Sequence, residues 1–252
     1  MARILITGST EGIGHAAASS LLDDGHDVVV HARNDDRARA LRDLVARGAS
    51  PVLGDLADLD QVRRLGDQAA RLGPFDAVIH NAGVIDGAAL LPVNVVAPYL
   101  LTAAVPAARL IYLSSSMHRG GEADIAGADW AGASKTLSYS DSKLLVTVLM
   151  AAVARRRPDL ISSAVDPGWV PTRMGGPSAS DDLALGHLTQ VWLATTNDPR
   201  ALVSGGYWHH QRVRTPHPAV HDEEFQDELL AALVEHTGVT LPAVRSQRGV
   251  QP

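Results

Sequence analysis

The sequence contains no cysteine, no long apolar run and no basic stripe, and each absence excludes a class of protein. Without cysteine, the chain can form no disulfide and has no catalytic thiol or cysteine-ligated metal. A net charge of −6 without a basic stripe argues against a nucleic-acid partner. No apolar run approaches the roughly 18 residues that a membrane-spanning helix needs. The first apolar run begins near Arg3 and leaves no room for a signal peptide, so we expect a cytoplasmic protein that does not bind membranes.

Length and hydrophobic pattern indicate one α/β domain covering residues 1–252. With 46% hydrophobic residues, the chain can bury a large core. Short apolar runs alternate with amphipathic segments, which is typical of parallel strands joined by crossover helices. We predict a Rossmann-type, doubly wound, mostly parallel seven-stranded sheet with helices on both faces. The predicted strands are 4–6, 28–30, 51–53, 75–80, 110–113, 160–165 and 206–208, and the predicted helices are 15–22, 34–47, 59–72, 95–105, 139–157, 181–195 and 222–236.

A glycine-rich stretch, residues 7–14, lies between the first predicted strand and an alanine-rich predicted helix and reads T-G-S-T-E-G-I-G. One glycine lets the chain turn sharply after the strand, a second lets the backbone approach a pyrophosphate, and a third lets the helix pack closely on the sheet. The helix start then offers unpaired N–H groups to phosphates. This order predicts a nucleotide site, although glycine in turns is common for other reasons.

Polar residues or glycines follow each of the first six predicted strands. In a doubly wound sheet, ligands bind beyond the carboxyl ends of the strands. One such residue alone would be ordinary turn chemistry, but six groups at one edge indicate a ligand site. In chain order they are 7–14, Arg33, Asp55 with Leu56, 81–83, Ser114 with Ser115, and 166–168.

Tyr139 and Lys143 are four residues apart in a predicted helix and therefore lie on one face. A lysine ammonium group beside a phenol favours the phenolate and lowers the phenol pKa, which suits general acid–base catalysis. Taken alone, the pair could equally belong to a solvated helix face.

Five motifs occur in the order typical of one enzyme family: T-G-x-x-x-G-I-G, Asn-Ala-Gly at 81–83, Ser-Ser at 114–115, Tyr-x-x-x-Lys at 139–143 and Pro-Gly-x-Val-x-Thr at 167–172. In this set the chain resembles the short-chain dehydrogenase/reductase family over nearly its whole length. Residues 114–118 and 205–207 resemble its retinol-dehydrogenase-like branch. The resemblance implies an NAD(P)-dependent oxidoreductase that transfers hydride between nicotinamide and a small-molecule carbonyl or alcohol.

The resemblance also implies roles for individual residues. Tyr139 would be the proton donor or acceptor, Ser115 would hydrogen-bond the substrate oxygen, and Asn94 would support a proton relay. Lys143 would lower the Tyr139 pKa and hold the nicotinamide ribose. The expected cofactor-binding residues are Gly8, Ser9, Thr10, Gly12, Ile13, Gly14, Arg33, Asp55, Leu56, Asn81, Ala82, Gly83, Tyr139, Lys143, Pro167, Gly168, Val170 and Thr172.

The end of the second predicted strand bears on the choice of cofactor. An acidic residue there would bind the ribose 2′-hydroxyl, whereas an arginine accepts a 2′-phosphate. The sequence has Arg33 at this point, which favours NADP(H) and leaves NAD(H) possible. Glu11 argues against a 2′-phosphate. The alternative is that Arg33 is a solvated surface side chain.

The glycine- and proline-containing segment 173–182 is expected to be a substrate lid. We expect Trp169, Met174 and His118 to contribute to the pocket wall, and we expect an apolar rather than a charged substrate. The alternative is that Trp169 is a core residue. The crossover between Gly83 and Arg109 is shorter than is usual in the family, so the oligomeric state stays open between monomer and homodimer.

Other functions receive less support from the sequence. No metal site is expected, because prolines interrupt the histidine-rich segment 209–221, and the G-x-S-x-G motif of serine hydrolases is absent. An epimerase or dehydratase of the extended branch is disfavoured by the glycine spacing. A non-catalytic NAD(P)-binding redox sensor or scaffold remains an alternative, although both Tyr139 and Lys143 are present.

Overall fold

The structure is a computed structural model that describes residues 1–243, so residues 244–252 of the predicted domain lie outside the described residues. Apolar strands with β-branched residues form one sheet in the order β3-β2-β1-β4-β5-β6-β7-β8. All neighbouring strands from β3 to β7 run parallel, which confirms the mostly parallel α/β prediction. The strands are β1 Arg3–Ile6, β2 Asp27–Ala32, β3 Ser50–Leu53, β4 Phe75–His80, β5 Ala107–Leu113, β6 Ile161–Asp166, β7 Gly206–His209 and β8 Arg212–Val213.

Helices cover both faces of the sheet, as predicted. Alternate side chains of one strand enter different cores: Leu5 joins the core under α4, α5, α6 and α9, whereas Ile4 and Ile6 join the core under α1, α3 and α8. The carboxyl ends of the strands therefore stay uncovered at one edge. The helices are α1 Gly12–Asp23, α2 Asp35–Ala38, α3 Arg42–Ala46, α4 Leu59–Leu72, α5 Ala97–Ala104, α6 Tyr139–Arg156, α7 Leu183–Gly186, α8 Leu188–Thr195 and α9 Glu223–Thr237.

The predicted count of seven strands is one too low, because β8 pairs antiparallel with β7 at the sheet edge. The turn between them places His210 and Gln211 at φ values of 48° and 58°. Such two-residue turns usually contain Asn-Gly or Asp-Gly. Since neither residue signals a turn, the two-residue strand could not be recognised from the sequence.

Three predicted helices are interrupted in the structure. Segment 34–47 contains α2, the 3₁₀ turn Arg39–Leu41 and α3, and segment 181–195 divides into α7 and α8. Segment 95–105 follows a π-helical turn, Pro92–Val96, in which the Ala97 N–H donates to the carbonyl of residue 92. Pro98 has no N–H and cannot donate to the Asn94 carbonyl in the α-helical pattern. This missing donor explains the π turn, a feature frequent at functional sites.

Helix α6 lies in the interior of the domain. Its residues 142–153 are all buried, and α9 packs along it. Arg155 donates to Gln226 at 2.8 Å, and Arg156 pairs with Asp227 at 2.7 Å. The hydroxyl of Ser138 caps the helix start and thereby fixes where Tyr139 begins the first turn. No helix within residues 1–243 is both long and apolar enough to cross a membrane.

Candidate active site

The glycine-rich loop between β1 and α1 packs against the chain that follows β4. A Cβ atom on Gly8, whose φ is +68°, would lie 2.9 Å from the Ala82 Cα atom. A Cβ atom on Gly14 would lie 2.3 Å from the Asn81 Nδ2 atom. That amide donates to the carbonyls of Thr7 at 2.9 Å and Gly8 at 3.1 Å. Glycine is therefore required here both for backbone conformation and for close approach.

His31 holds the glycine-rich loop by hydrogen bonds, a role that was not predicted from the sequence. The Gly8 N–H donates to His31 Nδ1 at 3.0 Å, and His31 Nε2 lies 2.8 Å from the Gly54 carbonyl. Burial lowers the pKa of His31, so the ring is neutral and Nε2 carries its proton. The sequence signal that could have indicated this role is a single histidine directly after the apolar run of β2, residues 28–30.

The start of α1 has N–H groups free for an anion. Its N-cap residue, Glu11, makes no side-chain capping hydrogen bond, so the first-turn N–H groups are not satisfied by a cap. Arg37 instead pairs with Glu11 at 2.9 Å and donates to the Thr10 hydroxyl at 2.9 Å. Arg33 is exposed and makes no hydrogen bond or ion pair within residues 1–243.

Tyr139, Ser115 and Lys143 come together where β5 meets α6. The Ser115 hydroxyl faces the Tyr139 hydroxyl and acts to lower the pKa of that phenol. The Lys143 Nζ atom lies 5.5 Å from the centre of the Tyr139 ring and donates to the Leu113 carbonyl at 2.8 Å. Lys143 is 4% exposed. The helical spacing seen in the sequence thus places both side chains on the face that meets the end of β5.

Burial determines the ionisation of this pair. The pKa of Tyr139 is raised to about 12, chiefly by burial and also by the nearby negative charge of Asp166, while the Ser115 hydroxyl acts in the opposite direction. Burial lowers the pKa of Lys143 to about 8. The expected lowering of the phenol pKa by Lys143 is therefore outweighed in the protein alone, because taking the phenolate out of water costs more. Near neutral pH the phenol holds its proton.

Asn94 is buried and joins three parts of the site. Its Oδ1 atom accepts from the Val84 N–H at 2.9 Å, and its Nδ2 atom donates to the Val84 carbonyl at 2.9 Å and to Ser142 Oγ at 3.0 Å. A Cβ atom on Gly83 would lie 3.4 Å from both Asn94 Oδ1 and Lys143 Nζ. The residue after β4, the π turn and α6 therefore meet at one point.

The remaining predicted cofactor residues lie along the same edge. Asp55 accepts from the Ala57 N–H at 3.0 Å just after β3. Thr172 packs on the glycine loop, since its Cγ2 atom lies 3.2 Å from the position of a Cβ atom on Gly12. Gly168, at φ +83°, donates from its N–H to the Asp166 carboxylate at 3.0 Å. Distant parts of the sequence thus frame one cleft. The other members of the predicted set follow these strands or lie in the same loops: Ser9, Ile13, Leu56, Pro167 and Val170.

A cavity of about 470 Å³ opens at this edge of the sheet, and its lining includes Ser116, the residue after Ser115, and Asp166, whose charge acts on the Tyr139 hydroxyl. We call it the strand-end cavity. Five of its eight lining residues are ionisable. Its lining residues are Ser116, Arg119, Asp166, Gly168, Trp169, Asp181, His209 and Arg214.

Of the three residues expected in the pocket wall, Trp169 lines the strand-end cavity and is 54% exposed, so it is not a core residue. His118 does not line this cavity, and its ring is fully buried. Its Nδ1 atom lies 2.6 Å from the Ser115 carbonyl, its Nε2 atom accepts from the His217 N–H, and it packs on Tyr207. Met174 is partly exposed and does not line this cavity.

Hydrogen bonds between Trp169 and Asp181 join the two ends of the segment predicted as a lid. The Trp169 N–H donates to the Asp181 carboxylate at 2.6 Å, and the Asp181 N–H donates to the Trp169 carbonyl at 3.0 Å. The Trp169 indole also donates to the Gly175 carbonyl at 2.9 Å. Residues 173–182 thus form a loop anchored beside the cavity. Asp181 is a cavity residue that the sequence analysis did not identify.

The histidine-rich segment forms no recognisable metal site. Within the described part of the chain, no group of three or more histidine, aspartate or glutamate side chains could hold a metal ion. His217 caps the 3₁₀ turn Pro218–His221 by accepting from the Ala219 N–H, and His209 approaches Asp166 at 3.6 Å.

Comparison with known proteins agrees with this arrangement. The family model for short chain dehydrogenase matches residues 2–183. An uncharacterized oxidoreductase of Emericella nidulans is 37% identical, covering 96% of this chain and 99% of its own length. Human retinol dehydrogenase 13 is 26% identical, with 97% and 87% covered. The crystal structure of a short chain dehydrogenase from Escherichia coli CFT073 complexed with NADPH is 23% identical, with a TM-score of 0.68 over 84% of this chain and 97% of that one. The chain thus belongs to the short-chain dehydrogenase/reductase family of oxidoreductases.

Proposed function

We propose that the protein reduces a small-molecule carbonyl to an alcohol with NADP(H), using Tyr139 as the proton donor. The observation that carries the proposal is that the hydroxyls of Ser115 and Tyr139 face each other beside the buried Lys143. Two hydroxyls directed at one point can hold and protonate a single substrate oxygen. Bound nicotinamide supplies the hydride.

The protonation state of Tyr139 supports the reductive direction. Because its pKa is about 12, the phenol is protonated near neutral pH and can donate to a developing alkoxide. Ser115 would hold the carbonyl oxygen during this transfer. Loss of the proton leaves a phenolate, which the ammonium group of Lys143 stabilises from 5.5 Å.

Lys143 also fits the proposed contact with the nicotinamide ribose. An ammonium group has three N–H donors, and the Leu113 carbonyl is its single hydrogen-bond acceptor among residues 1–243. A buried, charged donor with unused hydrogens favours a bound hydroxyl pair. Asn94 would contribute through its main-chain carbonyl, which lacks the usual α-helical donor at Pro98, as part of a water-linked proton relay.

The glycine loop fits a dinucleotide pyrophosphate. Side chains at Gly8 and Gly14 would collide with the chain after β4, and the N–H groups at the start of α1 are uncapped. The residues after β3 and β4 would line the adenosine half of the cleft, and residues 167–172 the nicotinamide half. The proposed cofactor-binding set therefore remains the one derived from the sequence, with Arg37 added.

Two arginines support NADP(H) over NAD(H). Arg33 follows β2 directly and is unpaired within the described residues, so it can bind a 2′-phosphate by charged hydrogen bonds. Arg37 lies beside the loop and neutralises Glu11, the residue that opposed this choice. The similar fold solved with NADPH is consistent with the same cofactor.

Cofactor choice can be tested by titration of NADPH and NADH. The variant Arg33→Ala/Arg37→Ala should lose about 1.5 to 3 kcal/mol of NADPH binding per charged hydrogen bond removed, and little NADH binding. Arg39→Ala is the matched control, since Arg39 pairs with Asp36 at the surface. Equal losses for both cofactors would contradict the assignment.

Residues 173–182 are proposed to act as a lid over the strand-end cavity. Trp169 lines the cavity and also bonds to Asp181 and Gly175, so movement of the loop would change the cavity wall. Trp169→Ala should alter the ranking of substrates by size more than it alters NADPH affinity. A change in melting temperature without a change in ranking would oppose the lid.

A panel of aldehydes and ketones with NADPH, read by nicotinamide absorbance, tests the function itself. Tyr139→Phe and Ser115→Ala should lose turnover by about 10²–10⁴-fold and still bind NADPH. Ser140→Ala, next to Tyr139 on the same helix, should behave like the wild type. NADPH binding without turnover of any compound would instead favour the non-catalytic sensor or scaffold.

A further inference from the structure

The strand-end cavity contains two arginine side chains whose hydrogen-bonding groups are largely unused. Arg214 makes no side-chain hydrogen bond or ion pair among residues 1–243. Arg119 makes one hydrogen bond, from Nη2 to the Thr215 carbonyl at 3.1 Å. A guanidinium group has five N–H donors, so most of the donors in this cavity have no acceptor in the described protein.

These arginines are held in place by neighbouring structure. The Arg119 guanidinium lies 5.5 Å from the centre of the Tyr207 ring, at a distance typical of cation–π contacts. The Arg214 N–H donates to the Tyr207 carbonyl at 2.8 Å, which anchors its backbone to β7. Tyr207 is itself buried and bonds to Asp166. Tyr207 thus contacts the guanidinium of Arg119 and the main chain of Arg214, and both arginines line the same cavity.

The acidic residues of the cavity form no ion pair with these arginines among residues 1–243, and each carboxylate accepts hydrogen bonds from other groups. Asp166 accepts from the Gly168 N–H at 3.0 Å on Oδ1 and from the Tyr207 hydroxyl at 3.3 Å on Oδ2. Asp181 accepts from the Trp169 N–H on Oδ2 and from the Ser180 hydroxyl on Oδ1. Among residues 1–243, both arginines therefore keep N–H donors that have no acceptor.

We propose that Arg119 and Arg214 form an anion subsite that binds a carboxylate on the substrate, so that the compound reduced is a keto acid or an aldehyde acid. This inference rests on the proposed function. Guanidinium groups match a carboxylate through paired N–H donors. A singly charged carboxylate fits better than a dianionic phosphate, because Asp166 and Asp181 would repel the second charge.

The subsite is placed to orient the reacting group. Ser116 and Asp166 line the same cavity. Ser116 follows Ser115 in the sequence, and the negative charge of Asp166 acts on the Tyr139 hydroxyl. A substrate whose carboxylate is held at Arg119 and Arg214 would present its other end to the Ser115–Tyr139 pair. The carboxylate then fixes orientation without taking part in the proton or hydride transfer.

The test uses a panel of keto acids, each with its methyl ester, and NADPH as the reductant. Wild-type kcat/KM should be at least tenfold higher for the acid than for its ester. Arg119→Gln and Arg214→Gln should each raise KM for the acid by a larger factor than KM for the ester and leave NADPH affinity unchanged. The double variant should bring the acid-to-ester ratio of kcat/KM near one. Arg212→Gln is the control, because Arg212 lies on the same hairpin and does not line the cavity.

Calorimetry with benzoate and benzamide tests the subsite independently of turnover. Binding of benzoate but not benzamide, with loss of benzoate binding in the Arg119→Gln/Arg214→Gln variant, supports the subsite. If esters and acids are reduced equally well and the variants change neither ratio nor benzoate binding, the subsite is wrong and the proposed function stands. If no carbonyl compound is reduced, the proposed function fails, and benzoate binding alone decides the subsite.

Discussion

Replacing Lys143 by methionine is expected to stabilise the folded protein while removing turnover. A shift of the lysine pKa from 10.5 to about 8 corresponds to about 3 kcal/mol by which burial disfavours the ammonium group near pH 7. Methionine removes this charge and fills similar space. It also removes the donor to the Leu113 carbonyl, which costs about 1 to 2 kcal/mol. The net expectation is a gain of about 1 to 2 kcal/mol.

The pH dependence gives this prediction a definite sign. The Lys143 pKa is lower in the folded protein than in the unfolded chain, so between about pH 8 and 10.5 the unfolded chain binds more protons. Wild-type stability should therefore rise as pH increases above about 8, and the Lys143→Met variant should lack this rise. Its advantage over the wild type is largest near pH 7 and shrinks as the wild-type lysine loses its proton.

Urea unfolding at several values between about pH 7 and 9.5 measures both effects; higher pH is avoided because the tyrosines of the unfolded chain begin to ionise. Lys135→Met is the control, since Lys135 is the other lysine of the sequence and pairs with Asp86 at the surface. It should change stability by less than about 0.5 kcal/mol. The reasoning is refuted if Lys143→Met is less stable than the wild type and retains the same rise with pH.

Three further outcomes follow from the same contacts. Gly14→Ala should lose about 2 to 4 kcal/mol of unfolding free energy and at least tenfold in NADPH affinity, because its Cβ atom would collide with Asn81 and disturb two hydrogen bonds. Gly120→Ala is the control, because a Cβ atom on Gly120 would meet nothing within 4 Å. Equal stability and NADPH affinity of the two variants would exclude the collision. The rate of carbonyl reduction should fall above about pH 8 as Lys143 loses its proton. Lys143→Arg should move that fall to higher pH if the variant retains activity. An unchanged pH profile in an active variant would exclude Lys143 as the origin of the fall. Light scattering should find a monomer, because residues 142–153 of α6 are already covered by the chain itself, and a dimer joined through α6 would contradict this.

The fold and the edge that carries the site could be predicted from local patterns. Apolar runs identify β1 to β7, and the glycine spacing after β1 identifies the loop whose close contacts require Gly8 and Gly14. The interval between Tyr139 and Lys143 places both side chains on one helical face. These signals are contained within a few residues of sequence, and the family membership they indicate is confirmed. The roles of the individual residues stay predictions.

Features that depend on distant contacts could not be predicted in this way. His118 was expected in the pocket wall, but its ring is enclosed by Ser115, Tyr207 and His217 from another part of the chain. The charged lining of the strand-end cavity arises because Arg119 and Arg214 meet around Tyr207. No local pattern signals such a meeting.

Transfer of deuterium from NADPH that carries deuterium at both C4 positions tests the central claim most directly, namely that the Ser115–Tyr139 pair promotes hydride transfer to a carbonyl. The wild type should place the label on the former carbonyl carbon of a reduced panel compound. Tyr139→Phe should bind the cofactor equally well and transfer the label about 10²–10⁴-fold more slowly. Label transfer at the wild-type rate by Tyr139→Phe, or a wild-type product without label on that carbon, would contradict the account.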